Sequence, residues 1–194
     1  MYDHAEEYGI DRNKIAVGGD SAGANLTAAI AVKDRDQGMN KVALQILIYP
    51  CVSFFTKGVR LNNEEANGFV IADEQKQTID RILSAGSPSE DQEDEPILAM
   101  FGDLYFDDRG DAESPYASPM LADSKGLPRA LCVSAEFDRL RFQTESYGKK
   151  LNEAGVSVKT IRYQGCVHAF FDRLGFVPQA EDLCIEITNA IKTM

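Results

Sequence analysis

The chain has 194 residues, 44% of them hydrophobic, enough for one sizeable core, so a single domain over 1–194 is expected. Its 20 basic and 31 acidic residues leave a formal charge of −11, which argues against nucleic acid and anionic membrane as partners, because phosphate binding needs a basic surface. No run approaches the roughly 18 apolar residues of a membrane helix, and the opening MYDHAEEYGI has neither the basic start nor the apolar centre of a signal peptide, so a cytoplasmic location is the expectation.

In chain order, residues 2–8 are polar and helical in pattern, closed by Gly9. Residues 14–18 then read as a short strand, and the alanine-rich run from about Ala22 to Gln37 as a helix ended by Gly38. Between them lies Gly19-Asp20-Ser21-Ala22-Gly23, a G-x-S-x-G pattern. In a nucleophile elbow this pattern puts the serine on a strained strand-to-helix turn and lifts its hydroxyl clear of the backbone. The Ala22 N–H and the helix N-terminus then face a developing oxyanion. Gly19 and Gly23 are expected to face the neighbouring strand and helix, where a Cβ would clash. The pentapeptide alone is a weak signal, since its three fixed positions recur by chance and Gly-Asp-Ser is ordinary turn chemistry. The strand before it and the helix after it are what point to catalysis.

Residues 42–49, VALQILIY, form a nearly unbroken apolar run ended by Pro50, the pattern of a strand covered on both faces. Regularity weakens over about 51–113, expected to be an irregular or lid-like excursion that walls a substrate pocket. Within it, 74–84 reads as an amphipathic helix, 87–95 as a solvated acidic loop, and 96–106 as an apolar, aromatic packing segment. Further on, strands are expected at 130–135 and 156–163 and helices at 144–154 and 180–193, with a loop over 165–171. Strands alternating with helices imply an α/β fold, a mostly parallel sheet of about four strands with helices on both faces.

In such sheets, active sites form beyond the carboxyl ends of the strands. Ser21 follows the first strand, Asp138 lies just past the third and His168 just past the fourth, so one rim is expected to carry all three. Ser21 would attack an acyl carbon, His168 would take and return the proton, and Asp138 would hold the imidazole tautomer and stabilise its charged form. Asp138 also suits a helix N-cap or a salt bridge to Arg139 or Arg141, and His168 a satisfied loop histidine. His4, the other histidine, precedes the first strand and is left at the surface. Cys51, Cys132, Cys166 and Cys184 are far apart, with no C-x-x-C spacing, and are read as reduced structural thiols. Two histidines are too few for a histidine-built metal site without carboxylate help.

Five stretches carry a family resemblance: GDSAGANL at 19–26, LIYP at 47–50, SPYASP at 114–119, AEFDRLR at 135–141 and VHAF at 167–170. In this order they resemble the hormone-sensitive-lipase branch of the α/β-hydrolase esterases, over nearly the whole chain and least over 53–111. The resemblance implies the α/β-hydrolase fold, hydrolysis of carboxylic esters, commonly of short acyl chains, a Ser21-His168-Asp138 triad and no cofactor. Ala24 and Ala169 stand where that branch usually has glycine, and Arg139 where it usually has proline.

Members of the branch are similar to a longer chain whose first third carries an H-G-G-G oxyanion loop and the early strands. Measured against them, this sequence is expected to be a C-terminal portion, with the nucleophile strand at an open sheet edge that favours a homo-oligomer. Three readings follow: a serine esterase acting on a small-molecule ester, an inactive fragment serving as a binding or assembly module, and a related peptidase or thioesterase using the same triad.

Overall fold

A computed structural model of the protein describes residues 2–54 and 109–194, with Gln77, Thr78 and Tyr105 besides. The four strands β1 (Ala16–Asp20), β2 (Leu44–Ile48), β3 (Arg129–Phe137) and β4 (Val158–Val167) form one parallel sheet whose order in space is their order in the chain. Helix α1 (Ser21–Asp36) links β1 to β2, α2 (Arg141–Glu153) links β3 to β4, and α3 (Pro178–Lys192) follows β4. This is the expected parallel α/β arrangement.

The alternation of side chains along β2 and β3 explains why helices cover both faces. Leu47, Ala130 and Cys132 point to one side, where Ala24, Ala28 and Val32 of α1 meet Tyr147 and Leu151 of α2. Leu44, Ile46, Ile48, Leu131, Val133 and Ala135 point to the other, against Ala180 and Leu183 of α3 and the ring of Phe170. A strand with apolar residues on both sides cannot face water, which is why the five residues of β2 are all buried. Among the described residues β1 pairs only with β2, so it forms one edge, and Leu26 and Ile30 on α1 are about half exposed.

Three local expectations change. Residues 2–8 do not form a helix; a 3-10 turn at Tyr2–His4 gives way to turns ending at Gly9, φ +66°. Only Ala5 in this segment is fully buried, so no apolar face holds a longer helix. The first strand lies two residues later than expected, carrying its pairing up to Asp20. The fourth strand runs on to Val167 through a stretch expected as loop, because Gly165 marks a bulge and does not end the strand. The helix at 74–84, apart from helical Gln77 and Thr78, the acidic loop at 87–95, and 96–106 apart from Tyr105 lie outside the described residues. Among the described residues, no helix is long and apolar enough to cross a membrane.

Candidate active site

Ser21 opens α1 directly after β1, with φ +50°, a conformation that side-chain-bearing residues rarely adopt. The turn is tight because backbone meets backbone: a Cβ on Gly19 would lie 2.5 Å from both C and O of Gly23. Glycine is therefore required at 19. The expected clash at Gly23 is absent, since a Cβ there would meet only Asp20 Oδ1, at an ordinary 3.9 Å. The close approach is one-sided: position 19 points into the turn, and position 23 supplies the backbone it points at. Asp20 is the extended N-cap residue without a side-chain capping bond, and the Ala22 N–H belongs to the first helical turn, which has no acceptor within the helix.

Asp138, one residue past β3, is only 1% exposed. One carboxylate oxygen, Oδ1, accepts the Leu140 N–H at 2.8 Å, and the other, Oδ2, lies 2.8 Å from His168 Nδ1. It therefore both closes the turn that precedes α2, whose N-cap residue is Leu140, and partners the histidine. An ionised carboxylate only accepts, so Nδ1 carries the proton and Nε2 presents its lone pair to the Ser21 hydroxyl, 3.0 Å away. Ser21, His168 and Asp138 are thus brought together in one hydrogen-bonded chain. Burial by itself weakens proton binding at His168. The hydrogen bond and charge of Asp138, with the charges of Asp20 and Asp172, outweigh it and raise the pKa above the ordinary 6.5.

Two residues at the site have a geometry that the sequence does not disclose. Tyr49, fully buried at the end of β2 with φ +38°, sets its ring 4.8 Å from the His168 ring, tilted by 59°, and 5.7 Å from Phe170. Burial, followed by the charges of Asp20 and Asp172, pushes its phenol well above the ordinary tyrosine value, so it stays neutral. In sequence it ends an apolar strand and belongs to the LIYP stretch, and neither assigns it a place beside His168. Ala169 has φ +61°, the left-handed conformation that favours glycine, at a position where the resemblance leads one to expect glycine.

The loops around the rim are fastened by buried amides. Asn25, one turn along α1 from Ser21, donates to the carbonyls of Cys51 and Ala117 at 2.6 and 2.8 Å. Gln143 of α2 accepts the N–H groups of Val52 and Ser53 at 2.8 and 2.9 Å. His4 lies at the surface, beside Glu7. The four cysteines are free thiols, and burial pushes Cys51 up to about 11 and Cys132 up to about 12. Among the described residues, no three His, Cys, Asp or Glu side chains gather as metal ligands.

The sequence model of a family described as having the alpha/beta hydrolase fold matches residues 1–172. An arylesterase of Saccharolobus solfataricus is 34% identical over 170 residues, covering 87% of this chain and 48% of that protein. The carboxylic ester hydrolase LipN of Mycobacterium tuberculosis is 36% identical over 179 residues, covering 88% and 41%. The solved structure of a hyperthermophilic esterase from the archaeon Pyrobaculum calidifontis superposes with a TM-score of 0.80 at 34% identity, over 100% of this chain and 57% of that one. The chain spans about half the length of the curated relatives it matches.

Proposed function

The chain belongs to the α/β-hydrolase fold family, and on that premise we propose that it is a serine carboxylesterase using Ser21, His168 and Asp138 as a catalytic triad. The observation that carries the reading is the unbroken chain from Ser21 Oγ through both imidazole nitrogens to a buried carboxylate. Neutral His168 takes the hydroxyl proton at Nε2 as Oγ attacks the ester carbonyl carbon, and the oxyanion gathers at the Ala22 N–H. The protonated imidazole, held by Asp138, gives that proton to the departing alcohol, leaving an acyl group on Oγ. A water molecule, deprotonated by the same nitrogen, then releases the acid and restores the serine.

Hydrolysis of p-nitrophenyl acetate that falls to background in Ser21→Ala supports the reading. Wild-type turnover equal to that of Ser21→Ala overturns it and leaves a binding or assembly module. Asp138→Asn, which keeps the acceptor for Leu140 but loses the charge and tautomer lock, should lower kcat by about three to four orders of magnitude. A series of p-nitrophenyl esters tests the short-acyl preference, and amide and thioester substrates test the peptidase and thioesterase alternatives. Self-association belongs to the same reading: among the described residues β1 pairs only with β2 and lies beside half-exposed Leu26 and Ile30, and light scattering that finds only monomer would refute it.

A further inference from the structure

Glu136 lies on β3 two residues before Asp138, where the register between β3 and β4 breaks. Ala135 pairs with Tyr163, but Phe137 pairs with Val167, so one residue of β3 faces three of β4, 164–166. Had the ladder continued unbroken, Asp138 would lie opposite Cys166. The surplus on β4 brings His168 there instead. Two residues of strand amount to about 6.6 Å, more than twice the reach of a hydrogen bond. The contact between His168 and Asp138 therefore depends on the bulge.

A bulge also leaves backbone groups without ladder partners. The Gly165 N–H is donated to Glu136 Oε2 at 2.7 Å, and the Gln164 carbonyl accepts Gln179 Nε2 of α3 at 3.3 Å. Gly165 makes the bend with φ +72°. The Glu136 backbone carbonyl in turn accepts a guanidinium N–H of Arg141, the first residue of α2, at 3.1 Å. The Glu136 carboxylate thus ties the bulged turn of β4 to β3, and the carbonyl of the same residue ties β3 to the start of α2, the two elements that frame Asp138.

We propose that Glu136 is a positioning residue: its carboxylate holds the β4 bulge that sets His168 level with Asp138. The inference rests on the reading of His168 as the general base. Glu136 touches neither Ser21 nor the imidazole, so its effect is indirect.

Three variants separate its hydrogen bond from its charge. Glu136→Gln keeps an acceptor of the same reach, Glu136→Asp keeps the charge on a side chain one methylene shorter, and Glu136→Ala keeps neither. Each is measured for kcat and KM on p-nitrophenyl acetate across pH, for amide exchange at Gly165 and for the titration of the His168 imidazole by NMR. The Ala and Asp variants should lose about 10- to 100-fold in kcat with little change in KM. They should also exchange the Gly165 amide faster and bring the His168 titration back toward the ordinary value as its tie to Asp138 loosens, with Asp20, Asp172 and Tyr49 unchanged around it. Glu136→Gln should stay within about threefold of wild type.

Wild-type kcat and wild-type Gly165 exchange in the Asp and Ala variants would overturn the inference, as would a Gln variant as impaired as Ala. The two NMR readouts need no turnover. If Ser21→Ala shows that the chain is not a serine esterase, they still report whether Glu136 holds the bulge, and the two failures stay distinct.

Discussion

Gly19→Ala tests the elbow most directly, because the structure gives the size of the misfit. The new Cβ would lie 2.5 Å from the carbonyl carbon and oxygen of Gly23, where ordinary contact begins at 3.4 Å, so strand end and helix must part by about 0.9 Å. Both atoms are backbone, and neither can swing aside as a side chain would. Overpacking of this kind costs about 2–3 kcal/mol, or about 4–12 °C in Tm for a chain of this size. The first turn of α1 carries Ser21, so the same shift opens the 3.0 Å contact with His168 and should lower kcat by about 100-fold. Gly23→Ala is the internal control. Its Cβ meets only Asp20 Oδ1, at an ordinary 3.9 Å, and replacing a helical glycine should hold or slightly raise Tm. Thermal melts and p-nitrophenyl acetate turnover of the two variants decide the matter. A Gly19→Ala protein with wild-type Tm and kcat, or a Gly23→Ala protein equally damaged, would refute the one-sided approach.

The raised pKa of His168 predicts that kcat/KM climbs with pH through a midpoint above 6.5, since only the neutral imidazole accepts the serine proton. The stability it confers has the opposite sense: it is fully present below pH 6.5 and lost as pH rises through the folded-state pKa. In Asp138→Asn, burial loses its main opponent, so the residual activity should have a lower acid limb, read from pH–rate profiles. Ala169→Gly relieves a left-handed alanine and should raise stability by about 1 kcal/mol, measured by urea unfolding. Cys166, 3% exposed and held as a thiol by burial and the charge of Glu136, should give a Cys166→Ala variant with nearly wild-type kcat; a complete loss of turnover with the fold intact would contradict this.

The sheet, its parallel sense and the rim were legible because each depends on local pattern. The double-sided apolar run of β2 marks a covered strand, and Ser21, Asp138 and His168 each follow a strand end. The role of Gly23 was misread because a motif records which residue occurs, whereas a clash depends on which way an absent Cβ would point. The bulge at 164–166 was illegible for a different reason. Alternation reads the same after an even surplus, and Gly165 signals a loop as readily as a bend within a strand. The contact of Tyr49 with His168 was illegible because a buried tyrosine at a strand end looks like core, and its approach to the imidazole is set by two strands remote in sequence.

The coincidence of spatial and chain order in the sheet has a bearing on how the protein comes into being. Each new strand can dock on the exposed side of the one before it, so the scaffold can grow in a single direction as the polypeptide emerges. The contact between Ser21 and His168 joins positions 147 residues apart, at the ends of strands three spacings, or about 14 Å, from one another. It cannot close until β4 is in place. In refolding from denaturant, esterase turnover should therefore return no earlier than the circular-dichroism signal of the complete sheet, and on the triad reading a nascent chain released before β4 would carry the serine without its base.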